Sequence, residues 1–314
     1  MSELINLSGL TKRFGPITAV DNVSFAVNRG EVLGFLGPNG AGKTTTMRML
    51  TGFLPPTAGA ASVSGHDVVT DTIEAQKKIG YLPEGTPLYG DMTPAAFLDF
   101  VADVRGLQGP ERRKRIDDVV AKVEIAEVFY RPIETLSKGY RRRVGLAQAI
   151  LHDPEVLILD EPTDGLDPNQ KHQVRTLIRD MAKDKAIVIS THILEEVEAI
   201  CTRTVIIARG RIVFDGTPGE LLSRAPSHNA VCIRVPRARA AQVKAAIESV
   251  TGVGRIEHKD DGGSRSMVMA YPQGGRSIIV EVSQRLNERG LAVDEIGVQP
   301  GRLDEVFRQL TLQT

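Results

Sequence analysis

The chain holds 314 residues, about two domains' worth by length, and its 41% hydrophobic and 25% charged residues suffice to bury a core. Its 39 basic and 39 acidic residues cancel, which argues against a dedicated nucleic-acid binder and against bulk attraction to anionic lipid. Two cysteines, Cys201 and Cys232, are too few for a disulfide framework or a zinc cluster and point to a reducing compartment. The first residues lack the basic and apolar regions of a secretory signal. No apolar run approaches the roughly 18 residues of a membrane span, so the chain is not expected to cross a membrane by itself.

From Leu4 to about Ser223, short apolar runs, Gly-rich turns and helical patterns alternate, the order expected of a nucleotide-binding α/β domain. Val23, Phe25 and Val27 alternate with polar or small residues, as in a strand with one buried face. Val32 to Leu36 is a continuous apolar run that suits a strand buried on both faces. Lys43 to Leu50 predicts a helix with Gly52 just past its end. Ile116, Val119, Val120 and Val123 share one helical face. Val156–Leu159 and Ala186–Ile189 predict two more buried strands. Asp167-Pro168 opens a helix burying Val174, Leu177, Ile178 and Met181. Ile193, Val197 and Ile200 line the helix after the third strand.

The pattern changes at the polar, proline-containing stretch 223–229, which reads as a linker between domains 1–223 and 224–314. Beyond it come a strand through Val231, Ile233 and Val235 and a helix through Val243, Ala246, Ile247 and Val250. Strands Arg255–Lys259 and Ser266–Tyr271 follow, joined by the turn Asp260–Gly263. A helix through Ile279, Val282 and Leu286 and a strand near Leu291–Val298 complete βαββαβ, the split βαβ or ferredoxin-like order. A short helix, Leu303–Leu310, closes the sequence.

Gly37-Pro38-Asn39-Gly40-Ala41-Gly42-Lys43-Thr44 fits G-x-x-x-x-G-K-[ST] between a predicted strand and helix. Its glycines let successive N–H groups turn inward as an anion nest, and the helix adds its positive end. Lys43 is expected on the β- and γ-phosphates, and the Thr44 hydroxyl on Mg²⁺. Thr45 is expected near phosphate, and Thr46 either there or in the core. Asp160 and Glu161 end the apolar run from Val156, where an open parallel sheet binds its ligands. Asp160 suits the Mg²⁺ shell, and Glu161 suits the general base that polarises the attacking water.

Further motifs narrow this to one family. Leu136-Ser137-Lys138-Gly139-Tyr140 resembles the LSGGQ signature of ATP-binding cassette (ABC) ATPases, Asp164-Gly-Leu-Asp167 their D-loop, and Ser190-Thr-His192 their switch histidine. Lys12-Arg-Phe14-Gly15 resembles the segment whose aromatic ring stacks on adenine. Tyr81-Leu-Pro-Glu84 resembles the Q-loop, with Glu in place of the commoner Gln. The resemblance covers roughly residues 4–220 and implies a P-loop NTPase cassette, an α/β RecA-like core plus a helical subdomain near 85–150, followed by the small C-terminal domain.

That resemblance implies ATP and Mg²⁺ as ligands, with Thr44, Asp160 and Glu84 around the metal. It implies a head-to-tail homodimer in which Ser137, Lys138, Gly139 and Asp167 of one subunit meet the nucleotide of the other. Lys138, where the family commonly has Gly, would add positive charge beside the opposing phosphate. His192 would sense the γ-phosphate. Tyr81–Glu84, the signature and Leu303-Asp-Glu-Val-Phe307 together resemble ABC-2-type exporters, which implies a separate membrane permease, export, and a place on the cytoplasmic face of the inner membrane. The helix Thr93–Leu107, with Phe97, Leu98, Val101 and Val104 as its apolar face, would dock that permease. The basic runs Arg112–Arg115 and Arg141–Arg143 read as solvated helix faces. A soluble ABC ATPase acting on ribosomes or DNA, or a regulatory module without turnover, are the rival readings. A single cassette without room for long coiled coil disfavours the first, and Glu161 disfavours the second.

Overall fold

Alternating apolar residues build the first sheet. Leu4, Ile5, Leu7 and Leu10 on β1 (Glu3–Phe14) and Val20, Val23, Phe25 and Val27 on β2 (Ile17–Asn28) are buried together. In the computed structural model, which describes residues 2–260 and 263–312, these strands pair antiparallel. Then come β3 (Val32–Leu36), α1 (Lys43–Leu50), β4 (Ala58–Val63), β5 (His66–Asp67), α2 (Thr72–Lys77) and β6 (Ile79–Leu82). The chain is helical through α3 (Pro94–Val104), α4 (Gly109–Lys122) and α5 (Lys138–Ile150). It returns to the sheet with β7 (Val156–Asp160), α6 (Pro168–Ala182), β8 (Ala186–Thr191), α7 (Leu194–Ile200), β9 (Arg203–Ala208) and β10 (Arg211–Gly216).

Two sheets result. One is antiparallel, of order β2-β1-β4-β5; the other has order β10-β9-β3-β8-β7-β6, with β3, β6, β7, β8 and β9 parallel and β10 antiparallel at one edge. Every residue of β3, β7 and β8 is buried, which is why these strands read as unbroken apolar runs. Residues of both sheets and of α1 share one core, including Ile5, Phe25, Phe35, Met47, Ile158 and Val188. The carboxyl ends of β3, β6, β7 and β8 therefore emerge on one side, carrying residues 37–44, Glu84, Asp160-Glu161 and His192.

Two expectations about helix faces change. On α3, Phe97, Leu98 and Ala102 are core, whereas Val104 is 70% exposed. The solvent face instead carries Phe100 and Val104, with the Tyr89 ring edge-on to Phe100 at 6.0 Å. Of the predicted α4 stripe, Val119 and Val123 are buried, while Ile116 and Val120 are half-buried.

A second unit begins at Thr217 rather than within the polar stretch. The reason is α8 (Pro218–Ser223): Leu221 is buried, and Gly301, just before the terminal helix, lies so close that an added Cβ would sit 2.9 Å from the Leu222 carbonyl. Next come β11 (Val231–Pro236), α9 (Ala240–Glu248), β12 (Val253–Asp260), β13 (Arg265–Pro272), α10 (Ile279–Glu288), β14 (Glu295–Val298) and α11 (Leu303–Leu312). The sheet is antiparallel, of order β12-β13-β11-β14, the split βαβ arrangement. Val243 and Ile247 of α9 and Val282 and Leu286 of α10 pack on Val231, Ile233, Val235, Val268 and Ala270. β14 is shorter than the apolar pattern suggests, beginning at Glu295. Residues 261 and 262 of the predicted turn lie outside the described residues. Among the described residues no helix is long and apolar enough to cross a membrane.

Candidate functional site

The cradle forms where β3 runs out and α1 begins. Gly42 caps α1 at φ 109°, a left-handed conformation that a side chain would strain, and a Cβ there would meet the Ala19 carbonyl at 2.5 Å. At Gly37 a Cβ would come within 2.4 Å of the Ile207 carbonyl. The loop is held from outside by Gly210 N–H donating to Ala41 O (3.0 Å) and within by Ala41 N–H donating to Pro38 O (3.1 Å). Pro38, Asn39 and Gly40 stay exposed at its rim. The N–H groups of the first turn of α1 have no carbonyl within the helix and offer an anion site.

Lys43 is buried, and its ammonium donates to Gly37 O at 2.7 Å and Pro38 O at 3.2 Å. Burial lowers its pKa, opposed by the carboxylates of Glu161, Asp160 and Glu84. One cation thus faces three acids from two strand ends. Thr44 and Thr45 are partly exposed at the head of α1. Thr46 is fully buried and donates to Gly42 O at 2.9 Å, which places it in the core rather than on phosphate.

Asp160 is 1% exposed, and burial raises its pKa, with Glu84 and Glu161 adding to the effect. Its Oδ2 is buried without a hydrogen-bond partner among the described residues, a cost of about 1–3 kcal/mol that a ligand would relieve. Among the described residues no group of three or more His, Cys, Asp or Glu could hold a metal. One orphaned, buried carboxylate oxygen instead fits an ion that keeps several waters and takes phosphate oxygens, as Mg²⁺ does.

Glu161 follows in the left-handed region at φ 52°, strained for a side chain of its size and of a kind that gathers at functional sites. Its N–H donates to Ser190 O at 2.8 Å, tying the end of β7 to β8. Its Oε1 lies 2.7 Å from His192 Nδ1, at the head of the turn after β8. A carboxylate and an imidazole are thereby brought into contact from the ends of two adjacent strands.

The run Arg141–Arg143 departs from the sequence expectation: Arg141 is exposed, but Arg142 and Arg143 are buried. Arg143 donates to Val123 O at 3.2 Å and Gln173 Oε1 at 2.5 Å, joining α5 to the end of α4 and to α6. Arg142 points to the strand ends, its Nη1 donating to Pro83 O (2.7 Å), Glu84 O (3.0 Å) and Thr86 Oγ1 (3.0 Å). Its Nη2 donates to Asp160 O and, at 2.6 Å, to Glu161 O. Acceptors brought together by folding satisfy these guanidinium groups, the Thr86 hydroxyl and the Glu124 carboxylate at 3.4 Å among them, so no local pattern announces their burial. Of the other run, Arg113 and Lys114 are exposed as expected, while Arg112 pairs with Asp99 and Asp103, and Arg115 with Asp153 at 3.2 Å, at the surface.

Ser137 caps α5, its hydroxyl accepting from Tyr140 N–H at 3.3 Å, and stays exposed. Gly139 lies close to α6: a Cβ there would meet Gln170 Oε1 at 2.7 Å, so the Gln170 side chain would have to shift. Lys138 does not present a bare charge: its Nζ pairs with Asp164 of the same chain at 2.8 Å, and that contact lowers the Asp164 pKa. Asp167 spends its carboxylate within the chain too, accepting from Gln170 N–H at 2.9 Å in a capping box at the head of α6. Phe14 is 47% exposed at the tip of the β1–β2 hairpin, with Lys12 Nζ 5.3 Å over its ring.

Comparison with known proteins agrees with this geometry. The family profile of ABC transporters matches residues 20–164. The chain is 38% identical over 221 residues to Nod factor export ATP-binding protein I of Ralstonia nicotianae, covering 70% of this chain and 69% of that protein. It is 32% identical over 308 residues to daunorubicin resistance ATP-binding protein DrrA3 of Streptomyces coeruleorubidus, covering 98% of this chain and 95% of the relative. A solved ATP-binding subunit of an ABC transporter superposes with a TM-score of 0.66 at 30% identity, covering 69% of this chain and 91% of the other.

Proposed function

Because this chain belongs to the ABC transporter family as an ATP-binding and ATP-hydrolysing subunit, we propose that it is the motor of a bacterial ABC-2-type exporter. Two copies pair head to tail, each capping the triphosphate held by the other, and drive a separate membrane permease from the cytoplasmic face of the inner membrane. The observation that carries this reading is the Glu161–His192 contact at 2.7 Å in a site where Glu161, Asp160 and Glu84 face Lys43.

The residues divide the work. The loop 37–44 and Lys43 hold the β- and γ-phosphates, and Phe14 stacks on the base. Thr44, Asp160 and Glu84 would hold Mg²⁺, which would supply positive charge to offset that on the transferring phosphoryl group. Glu161 accepts the proton of the attacking water, and His192 fixes the direction of its carboxylate. Ser137, Gly139 and the head of α5 form a second anion site on the helical segment, suited to the partner's nucleotide. Lys138, already paired with Asp164, steadies that segment more than it attracts phosphate. Export as the direction follows the names of the relatives, and the exposed Tyr89, Phe100 and Val104 offer the permease an apolar contact. The C-terminal unit, which the DrrA3 alignment spans, serves dimer contact or regulation.

The test is phosphate release by the wild type and by Glu161→Gln, with molecular mass measured in Mg-ATP. Loss of the base should cut turnover by about 10²–10⁴-fold while ATP-bound dimers accumulate. A variant that stays monomeric in Mg-ATP, alone and beside its permease, refutes the motor reading.

A further inference from the structure

Arg142 sits five residues into the signature helix from Ser137, about 7.5 Å along the axis, and is 6% exposed. The guanidinium presents five N–H groups in a rigid fork, and here the two branches serve different segments. One branch binds the carbonyls of Pro83 and Glu84 and the hydroxyl of Thr86; the other binds the carbonyls of Asp160 and Glu161. Its Nε has no partner among the described residues, and no carboxylate oxygen accepts from it. Burial lowers its pKa, opposed by Asp160, Asp164, Glu161 and Glu84 around it. A charge buried at this cost is held by main-chain oxygens, so its product is backbone geometry rather than an ion pair.

We propose that Arg142 is a positioning residue for hydrolysis, which fixes the backbone of Glu161 and of the Glu84 loop to the signature helix so that the helix and the base move as one body. The geometry supports this at a residue in the left-handed region. Glu161 at φ 52° is retained by its N–H on Ser190 O and by its C=O, which accepts from Arg142 Nη2 and, at 3.1 Å, from Asp164 N–H. Arg142 touches neither cradle nor Lys43, so its role falls on turnover and not on the grip of the triphosphate. In a head-to-tail pair the same link carries occupancy at the head of α5 to the base of its own subunit. The proposal rests on Glu161 being the base.

The experiment compares Arg142→Met, Arg142→Lys, Glu161→Gln and the double variant Arg142→Met/Glu161→Gln in the full chain, measuring phosphate release and the number of ATP molecules bound per chain. Arg142→Met should lower kcat at least tenfold with KM for ATP within twofold of wild type and one ATP still bound per chain. Arg142→Lys, which keeps the charge but reaches one segment, should recover part of the loss. In the Glu161→Gln background the further effect of Arg142→Met should fall below twofold, because both act through one group. The proposal is overturned if Arg142→Met keeps kcat within twofold, if turnover and bound ATP fall in proportion, or if the two losses multiply. Should Arg142→Met not fold, Arg142→Lys decides alone, with wild-type kcat overturning the proposal and a lowered kcat at unchanged KM supporting it. Full turnover in Glu161→Gln would instead remove the base assignment.

Discussion

In the N-terminal unit Lys43, Arg142, Arg143, Asp160 and Glu196 are all buried, whereas in the C-terminal unit the buried polar side chains among the described residues are Ser227 and Ser266. Those two hydroxyls each donate to one acid, Glu305 and Asp260, both at 2.6 Å. The core beneath them is otherwise aliphatic, built on Val231, Ile233, Val243, Ile247, Val268 and Val282. Buried charge is costly and persists where other groups compensate it. In the first unit the compensation comes from strand ends and loop carbonyls gathered around the nucleotide cradle; the second contains nothing comparable. The contrast separates a unit whose interior is organised for chemistry from one whose interior is organised for shape.

The strongest way to break that contrast is to damage the second interior and look for an effect on the first. Ile233, fully buried at the centre of the C-terminal sheet, should cost about 2–5 kcal/mol when cut to Ala. Hydrogen exchange should show the loss across β11, β13 and α9, with ATP affinity unchanged. A matching fall in ATP affinity would mean the interiors are not separable in role.

A smaller effect sharpens the electrostatic side. Glu196 is buried with its Oε2 accepting from Thr191 at 2.7 Å and its Oε1 unpartnered among the described residues. Burial raises its pKa above the ordinary 4.5, against the pull of the Thr191 hydroxyl and of Arg175, Lys171 and His192. A carboxyl that binds its proton more tightly when folded favours the fold at low pH, and that contribution is lost as pH rises through the folded value. Glu196→Gln should therefore raise stability at pH 7, on the order of 1–2 kcal/mol. The gain should fade as pH falls through the raised folded value toward 4.5 and be gone below it in thermal melts; a gain independent of pH would reject the electrostatic account. Last, Asp167→Ala should cost about 1 kcal/mol through loss of the α6 cap, with little change in ATP affinity. A large fall in that affinity would restore Asp167 to nucleotide contact.

Much of this was readable before any coordinates. The bounds of α1, the continuous apolar runs of β3, β7 and β8, and the βαββαβ order all follow from local pattern, because each depends on which face of a short segment is buried. The cradle was readable for the same reason, as its glycines and Lys43 are consecutive. Arg142 and Arg143 were not: their acceptors at 83–86, 123–124, 160–161 and 173 are distant in sequence, and a triple arginine looks solvated until those carbonyls are placed. The same holds for Lys138, whose partner Asp164 is 26 residues further on, beyond α5 and β7, and for α3, where Phe97 and Phe100 fall on opposite sides of the buried boundary.

The Lys43 ammonium is already engaged, bridging two carbonyls of its own loop. Entry of an anion there asks for an exchange of acceptors at one nitrogen, neutral oxygens giving way to charged ones, with no refolding of the main chain.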